Sequence, residues 1–374
     1  MKLTLKDLYD GFRDPDVIKA LESEIKKEAK GIDRDINIME VCGGHTHTIM
    51  KYALPQLLPI NVNFIHGPGC PVCIMPRERI DHAYILSQMD DTILVTLGDM
   101  IKVPGSHGSL ADARASGADV RFVYSPLDTI EIALQNPTKT IIFFAIGFET
   151  TTPMSAALID SVIKREVKNI YFHINHVTIP EAMELLVDDE SSKIDAFLGP
   201  AHVSVISGSK IYEKFAISYK KPVVVSGFEP VDVMESILMI VRQIKENRAT
   251  LEVQYHRSVS YDGNQKAQTL MEKYFKKVDL FKWRGIGNIA DSAMKLRDEY
   301  GYIDAEVKFK NLLSYEELRD HKLCICGDIL RGVKKPRDCS VFGTVCTPSN
   351  PLGSCMVSSE GSCAAYYRYG DLII

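Results

Sequence analysis

The chain has 374 residues, 45% hydrophobic and 25% charged, with a net charge of −5. That is an ordinary globular composition, long enough for two or three domains, and its acidic balance argues against a nucleic-acid partner, which calls for a basic excess. The longest apolar runs, such as 141–146, fall far short of the roughly 20 residues that span a bilayer.

The chain opens MKLTLKDLYDGFRDPD, with acidic residues where a signal peptide needs an apolar core, so a cytoplasmic protein is expected. Residues 1–35 read as a charged helical lead-in, helical over 16–30. Beyond it, short β-branched runs alternate with amphipathic stretches. Strands are predicted at 36–41, 62–65, 92–97, 120–124, 140–146, 169–174, 196–198 and 222–225, and helices at 156–167, 180–187 and 233–246. Such alternation is the signature of parallel α/β architecture. Nearly every predicted strand ends in a glycine- or histidine-containing turn: CGGHTH, HGPGCPVC, LGDM, IGFETT, INHVTIP, LGPAHVS and SGFEP. Open α/β sheets build their sites at these strand ends. FAIGFE at 144–149 and VVSGFE at 224–229 echo one another, as two similar lobes across a cleft would. The expected fold is α/β: two parallel-sheet domains facing a cleft, at 36–139 and 140–250, followed by a C-terminal domain over 251–374 with a cysteine-rich tail.

Cysteine placement carries the chemistry. Cys42, Cys70 and Cys73 sit early; Cys324, Cys326, Cys339, Cys346, Cys355 and Cys363 sit late, with none between. In a reducing cytosol, clustered thiols indicate metal or redox chemistry more often than structural disulfides. The tail lacks the paired CxxC knuckles of a zinc ribbon. Six thiols exceed the four that a [4Fe–4S] cluster uses, leaving two for a disulfide or dithiol; a structural zinc site is the competing reading. Cys70-Pro-Val-Cys73 has the spacing of a reversible disulfide, or of half a metal site. Cys42, in a glycine turn with His45 and His47, suits a nucleophile, a soft-metal ligand or a buried structural thiol. His66, His107, His173, His176 and His202 lie at or beyond strand ends, and Asp99, Glu149 and Glu229 are placed to face a cleft or cap a helix. No GxxxxGK[ST] loop is present, so nucleotide hydrolysis is not expected. GIGNIA at 285–290 matches GxGxxA but follows FKWR rather than a clear strand, and reads as a chance match.

Taken together, MEVCGGHTH, GPGCPVC, TLGDM, GFETTTP, GPAHVSVISG, SGFEP and the tail CICGDILRGVKKPRDC…FGTVCTP…PLGSCMVSSEGSC resemble the HypD family of hydrogenase maturation factors. These motifs run in order from about residue 39 to 363. The resemblance implies a scaffold that assembles the Fe(CN)2CO unit of [NiFe] hydrogenase with a HypC-type chaperone. Cyanide would come from HypE, with HypF upstream. It also implies a [4Fe–4S] cluster beside a redox-active thiol pair. Carried onto this sequence, Cys42 would be the iron ligand and His45 would orient the site. Cys70 and Cys73 would be a redox pair, with Asp99 and Glu360 close by. The preferred cluster ligands are Cys326, Cys339, Cys346 and Cys363, with Cys324 and Cys355 as the pair or as alternative ligands. A monomer is expected, with no nucleic-acid or membrane partner. A cluster-dependent thiol–disulfide reductase and a zinc-stabilised binding protein are the alternatives.

Overall fold

The computed structural model describes residues 10–316, 318 and 320–372; the first nine residues of the expected lead-in lie outside these. Runs such as TIIFFAIG, apolar on both faces, can be satisfied only by a sheet covered on both sides, and parallel sheets provide that. Nine strands form the sheets, in chain order: β1 (Ile36–Glu40), β2 (Val62–His66), β3 (Thr92–Leu97), β4 (Asp119–Val123), β5 (Thr140–Gly147), β6 (Ile170–His176), β7 (Ala196–Pro200), β8 (Val223–Ser226) and β9 (Leu251–Val253). They make two all-parallel sheets, ordered β2-β1-β7-β8-β9 and β4-β3-β5-β6.

All eight predicted strands are present, within one or two residues of their predicted ends. The helices Thr152–Lys164, Ile179–Asp188 and Pro230–Lys245 start earlier than predicted, because each carries proline in its first turn, where a preset φ and a missing N–H cost nothing. The two sheets do not divide at residue 139. β3 pairs with β5 across that point, and β1 pairs with β7 from beyond the whole second sheet. The echoed GFE turns each close a strand and precede a helix, one in each sheet.

One apolar cluster joins the sheets and the tail, with Met39, Leu94, Phe144, Phe197, Trp283 and Cys363 among its members. Separate clusters cover the outer face of each sheet. After β9 come the helix Gln265–Tyr274 and two antiparallel ribbons, Phe275–Lys277 with Met294–Leu296 and Leu280–Trp283 with Gly287–Ala290. GIGNIA forms the turn of the second ribbon, with Gly285 at φ +78, and opens no helix. The tail folds as short helical pieces, Cys326–Leu330, Pro336–Asp338, Ser354–Met356 and Ser362–Tyr369, linked by loops. Among the described residues no helix is long and apolar enough to cross a membrane.

Candidate functional site

Between the carboxyl ends of the two sheets lies a cavity of about 480 Å³. Its walls are the turns after β1 (Cys42), β2 (Gly69, Pro71, Val72), β3 (Asp99, Met100) and β5 (Phe148, Thr150, Thr151), the helix Ala201–Ser207 after β7 (His202, Ile206), and Glu360 from the tail. This is where an open α/β sheet places its ligands.

Cys42 ends β1 and serves as N-cap of the helix Gly43–Lys51. Its turn is made of close approaches. A Cβ on Gly43 would lie 2.2 Å from the Glu360 Cβ, and one on Gly69 would lie 2.3 Å from the Cys42 nitrogen. The Gly43 N–H donates to the Gly69 carbonyl at 3.0 Å. Fully buried Glu40 braces the turn from behind. It accepts the Cys42 N–H at 3.0 Å, the His66 Nδ1–H at 2.8 Å, and the Thr46 hydroxyl. Burial pushes the Cys42 thiol up, Glu360 and Glu40 add to the effect, and the N–H groups of Gly44 and His45 oppose it. Cys42 keeps partial exposure to the cavity, where water softens that push.

His45 is buried, and burial pulls its pKa down. Its Nε2–H donates to the carbonyls of Gly227 (2.9 Å) and Ser226 (3.3 Å), so Nδ1 carries the lone pair; that atom is buried without a hydrogen-bond partner. The ring therefore ties the Cys42 helix to the end of β8. Phe228 sits between two imidazoles, stacked on His45 at 4.5 Å and tilted against His202 at 4.1 Å. Asp99 Oδ2 accepts the Ser358 hydroxyl at 3.0 Å, and the Ser358 oxygen accepts the Glu360 N–H at 3.2 Å. Partial burial first, and the Asp99 charge second, raise the Glu360 carboxyl, although its position on the rim leaves it open to water.

Behind the cavity lie the other thiols. Cys70 and Cys73 are buried in a tight turn, the Cys73 N–H donating to the Cys70 carbonyl at 3.0 Å. Burial, contact with Cys70 and the nearby sulfurs of Cys355 and Cys326 push the Cys73 thiol up. The tail holds this turn directly: Cys73 Sγ donates to the Ser354 carbonyl at 3.7 Å, and the Ser354 hydroxyl donates to the Cys73 carbonyl. Cys324 lies within hydrogen-bonding reach of Cys326, and Cys326 of Cys355. Cys355 Sγ is 3.1 Å from Cys363 Sγ. Cys346 accepts the Leu352 N–H at 3.4 Å, and half-buried Cys339 faces the Leu323 carbonyl at 3.8 Å.

The structure thus brings Cys42, Asp99 and Glu360 to one cavity, braces it with His45, and sets Cys70 and Cys73 against the tail. Sequence reasoning did not single out Glu40, Ser358 or Phe228. MEV, SGFEP and the tail motif each contained one of them, but no local pattern marks a carboxylate, a hydroxyl or a ring as facing inward. Of the strand-end histidines, only His202 lines the cavity. His82, His173 and Glu306 could bring three ligand atoms to one cation. They are instead links of a satisfied network: Asn175 donates to His173 Nδ1 (3.0 Å), His173 Nε2 meets His82 Nδ1 (3.1 Å), His82 Nε2 donates to the Ser314 carbonyl (2.6 Å), and Arg79 grips Glu306. Glu149 is buried away from the cavity, its carboxyl raised to about 7 by burial.

The family model described as "HypD: Hydrogenase formation hypA family" matches residues 16–370. Hydrogenase maturation factor HypD2 of Bradyrhizobium diazoefficiens is 50% identical over 370 residues, covering 96% of each chain. HypD of Cupriavidus necator is 48% identical over 366 residues, again with 96% of each chain covered. HypD of Escherichia coli is 42% identical over 364 residues, spanning 96% of this chain and 97% of its own.

Proposed function

The chain belongs to the HypD family of hydrogenase maturation factors, and on that premise we propose that it is the scaffold on which an iron ion, as cargo, acquires cyanide and carbonyl ligands before transfer to a [NiFe] hydrogenase. A HypC-type chaperone docks at the cavity mouth and shares the iron with Cys42, and HypE delivers the cyanide made with HypF. The observation that carries this reading is Cys42, the one cysteine lining the strand-end cavity, with the other eight cysteines behind it.

A thiolate suits low-spin iron(II). Iron binding requires the Cys42 proton to leave, because metal ligands must be deprotonated. We assign that proton to His202, which lines the same cavity; its ring is exposed, and partial burial lowers its pKa. Glu40 and the Gly43–Gly69 contact fix the thiol's direction, and His45 with Phe228 anchors that turn to the opposite strand.

Six soft thiols in a glycine-lined fold fit an iron–sulfur cluster by number and chemistry. A Cβ on Gly353 would lie 2.5 Å from Cys324 Sγ, so the chain folds against the sulfur where only glycine fits. We assign Cys324, Cys339, Cys346 and Cys363 as ligands, and Cys326 with Cys355 as the dithiol pair. This division departs from the expected one because Cys326 and Cys355 touch each other and are the tail sulfurs neighbouring Cys73. When bound, the cluster supplies single electrons. The chain's own contribution is the file of thiols from Cys355 and Cys326 to Cys73 and Cys70.

The test is infrared spectroscopy of the anaerobically purified chain with its HypC-type partner. Bands of iron-bound cyanide and CO are expected, and Cys42→Ala should lose them while keeping its circular dichroism and melting temperature. Bands that persist in that variant remove Cys42 from the role.

A further inference from the structure

Residues 331–337 hold four cations, Arg331, Lys334, Lys335 and Arg337, in a chain whose net charge is −5. All four are exposed. Lys334 and Lys335 join Lys193 around a second cavity of about 250 Å³, walled also by His66 and Tyr366. Among the described residues these three lysines have no carboxylate within ion-pair distance, and Asp35 is the one acid lining the cavity. Arg331 and Arg337 each give one nitrogen to a carbonyl, of Ile286 and Gly370; Arg337 also makes a long, exposed ion pair with Asp371 at 3.9 Å, and Arg331 lies near Asp189. Val333, 54% exposed, supplies an apolar spot among the charges.

Solvated lysines ordinarily do no more than keep a protein soluble. This run leads, along the chain, into the part of the sulfur tail that solvent reaches. Cys324 and Cys339 are the two half-buried tail cysteines, the other four being buried, and Cys339 follows the basic run after a single residue. A concentrated positive field around an accessible redox edge, on an otherwise acidic molecule, steers an acidic partner to that edge.

We propose that this surface docks an acidic one-electron donor protein that reduces the tail centre. The inference rests on the reading of the tail as a redox centre. In each encounter one electron leaves the donor's reduced iron and enters the tail, oxidising the donor by one unit. Two encounters, with two protons from water, reduce one disulfide to a dithiol. Such contacts are small, short-lived and salt-sensitive.

A plant-type [2Fe–2S] ferredoxin is the probe. Binding of oxidised ferredoxin to the full chain is measured by calorimetry at low and at physiological salt. Stopped-flow absorbance then follows reduction of the tail by reduced ferredoxin and, separately, by reduced methyl viologen, a small cation. The triple variant Lys193→Glu, Lys334→Glu, Lys335→Glu should bind ferredoxin at least about tenfold more weakly, lose the salt dependence, and slow by a similar factor with ferredoxin but not with viologen. Equal binding and rates in variant and parent overturn the docking surface. So does a parent chain that viologen reduces but ferredoxin neither binds nor reduces. A tail that viologen leaves unchanged in the parent overturns the redox reading, and the docking proposal falls with it.

Discussion

Single residues decide the geometry around Cys42. Because a Cβ on Gly69 meets the Cys42 backbone rather than a pliable side chain, Gly69→Ala should cost about 2–4 kcal/mol in urea unfolding and slow alkylation of Cys42 by a bulky maleimide. The proposed cysteine division makes a sharper test: Cys339→Ser should lose tail iron and acid-labile sulfide in an anaerobic assay, whereas Cys326→Ser should keep both. Glu149 sets a pH dependence. Its folded pKa, near 7, lies above its ordinary value, so the fold retains a proton that the unfolded chain releases. That contribution is complete below the ordinary carboxylate range and is lost as pH rises towards 7. Glu149→Gln should therefore be more stable than the parent at slightly alkaline pH, by roughly 2–3 kcal/mol in chemical denaturation, with the difference closing in mild acid. Much of the site is legible at this scale, since Cys42 and Asp99 stand in turns that close apolar strands, whereas Glu360 entered only through the resemblance of the tail motif. Glu40 and Ser358 were hidden, because their roles depend on partners 26 and 259 residues away, His66 and Asp99.

Among the elements, the helix Gly43–Lys51 is held by the helix Ser362–Tyr369: the His47 ring meets Tyr369 edge-on at 5.3 Å, and the His66 ring at the end of β2 meets Tyr366 at 5.5 Å. Cys363 sits in the first turn of that second helix. On the proposed reading of the tail as a metal centre, stripping its metal with a chelator should accordingly raise hydrogen exchange in residues 43–51 together with the tail. Faster exchange confined to the tail would mean that the two helices are not coupled. The parallel strands were readable because burial on both faces makes them continuous apolar runs. Ribbons such as LFKW and GNIA were not, since a strand of four residues, partly exposed, has neither a period nor enough apolar side chains to stand out.

For the whole molecule, topology outranks sequence order. Strand pairing links residue 38 to 196 and residue 92 to 140, so a fragment ending at 139 retains only part of either sheet. Residues 36–139 expressed alone should show no cooperative unfolding transition by circular dichroism. Local pattern identifies strands but is silent on their neighbours, which is why the lobes were legible as two while their boundary was not. The same weave sets a schedule during synthesis. β1 and β2 leave the ribosome first, yet β7 begins at residue 196, and the tail that backs Cys73 comes last. At ~10 residues per second the nascent chain carries its three early thiols for roughly 25 seconds or more before their cover is made. Protection of those sulfurs over that interval falls to whatever meets the chain at the exit tunnel, and a slow translation rate lengthens the exposure.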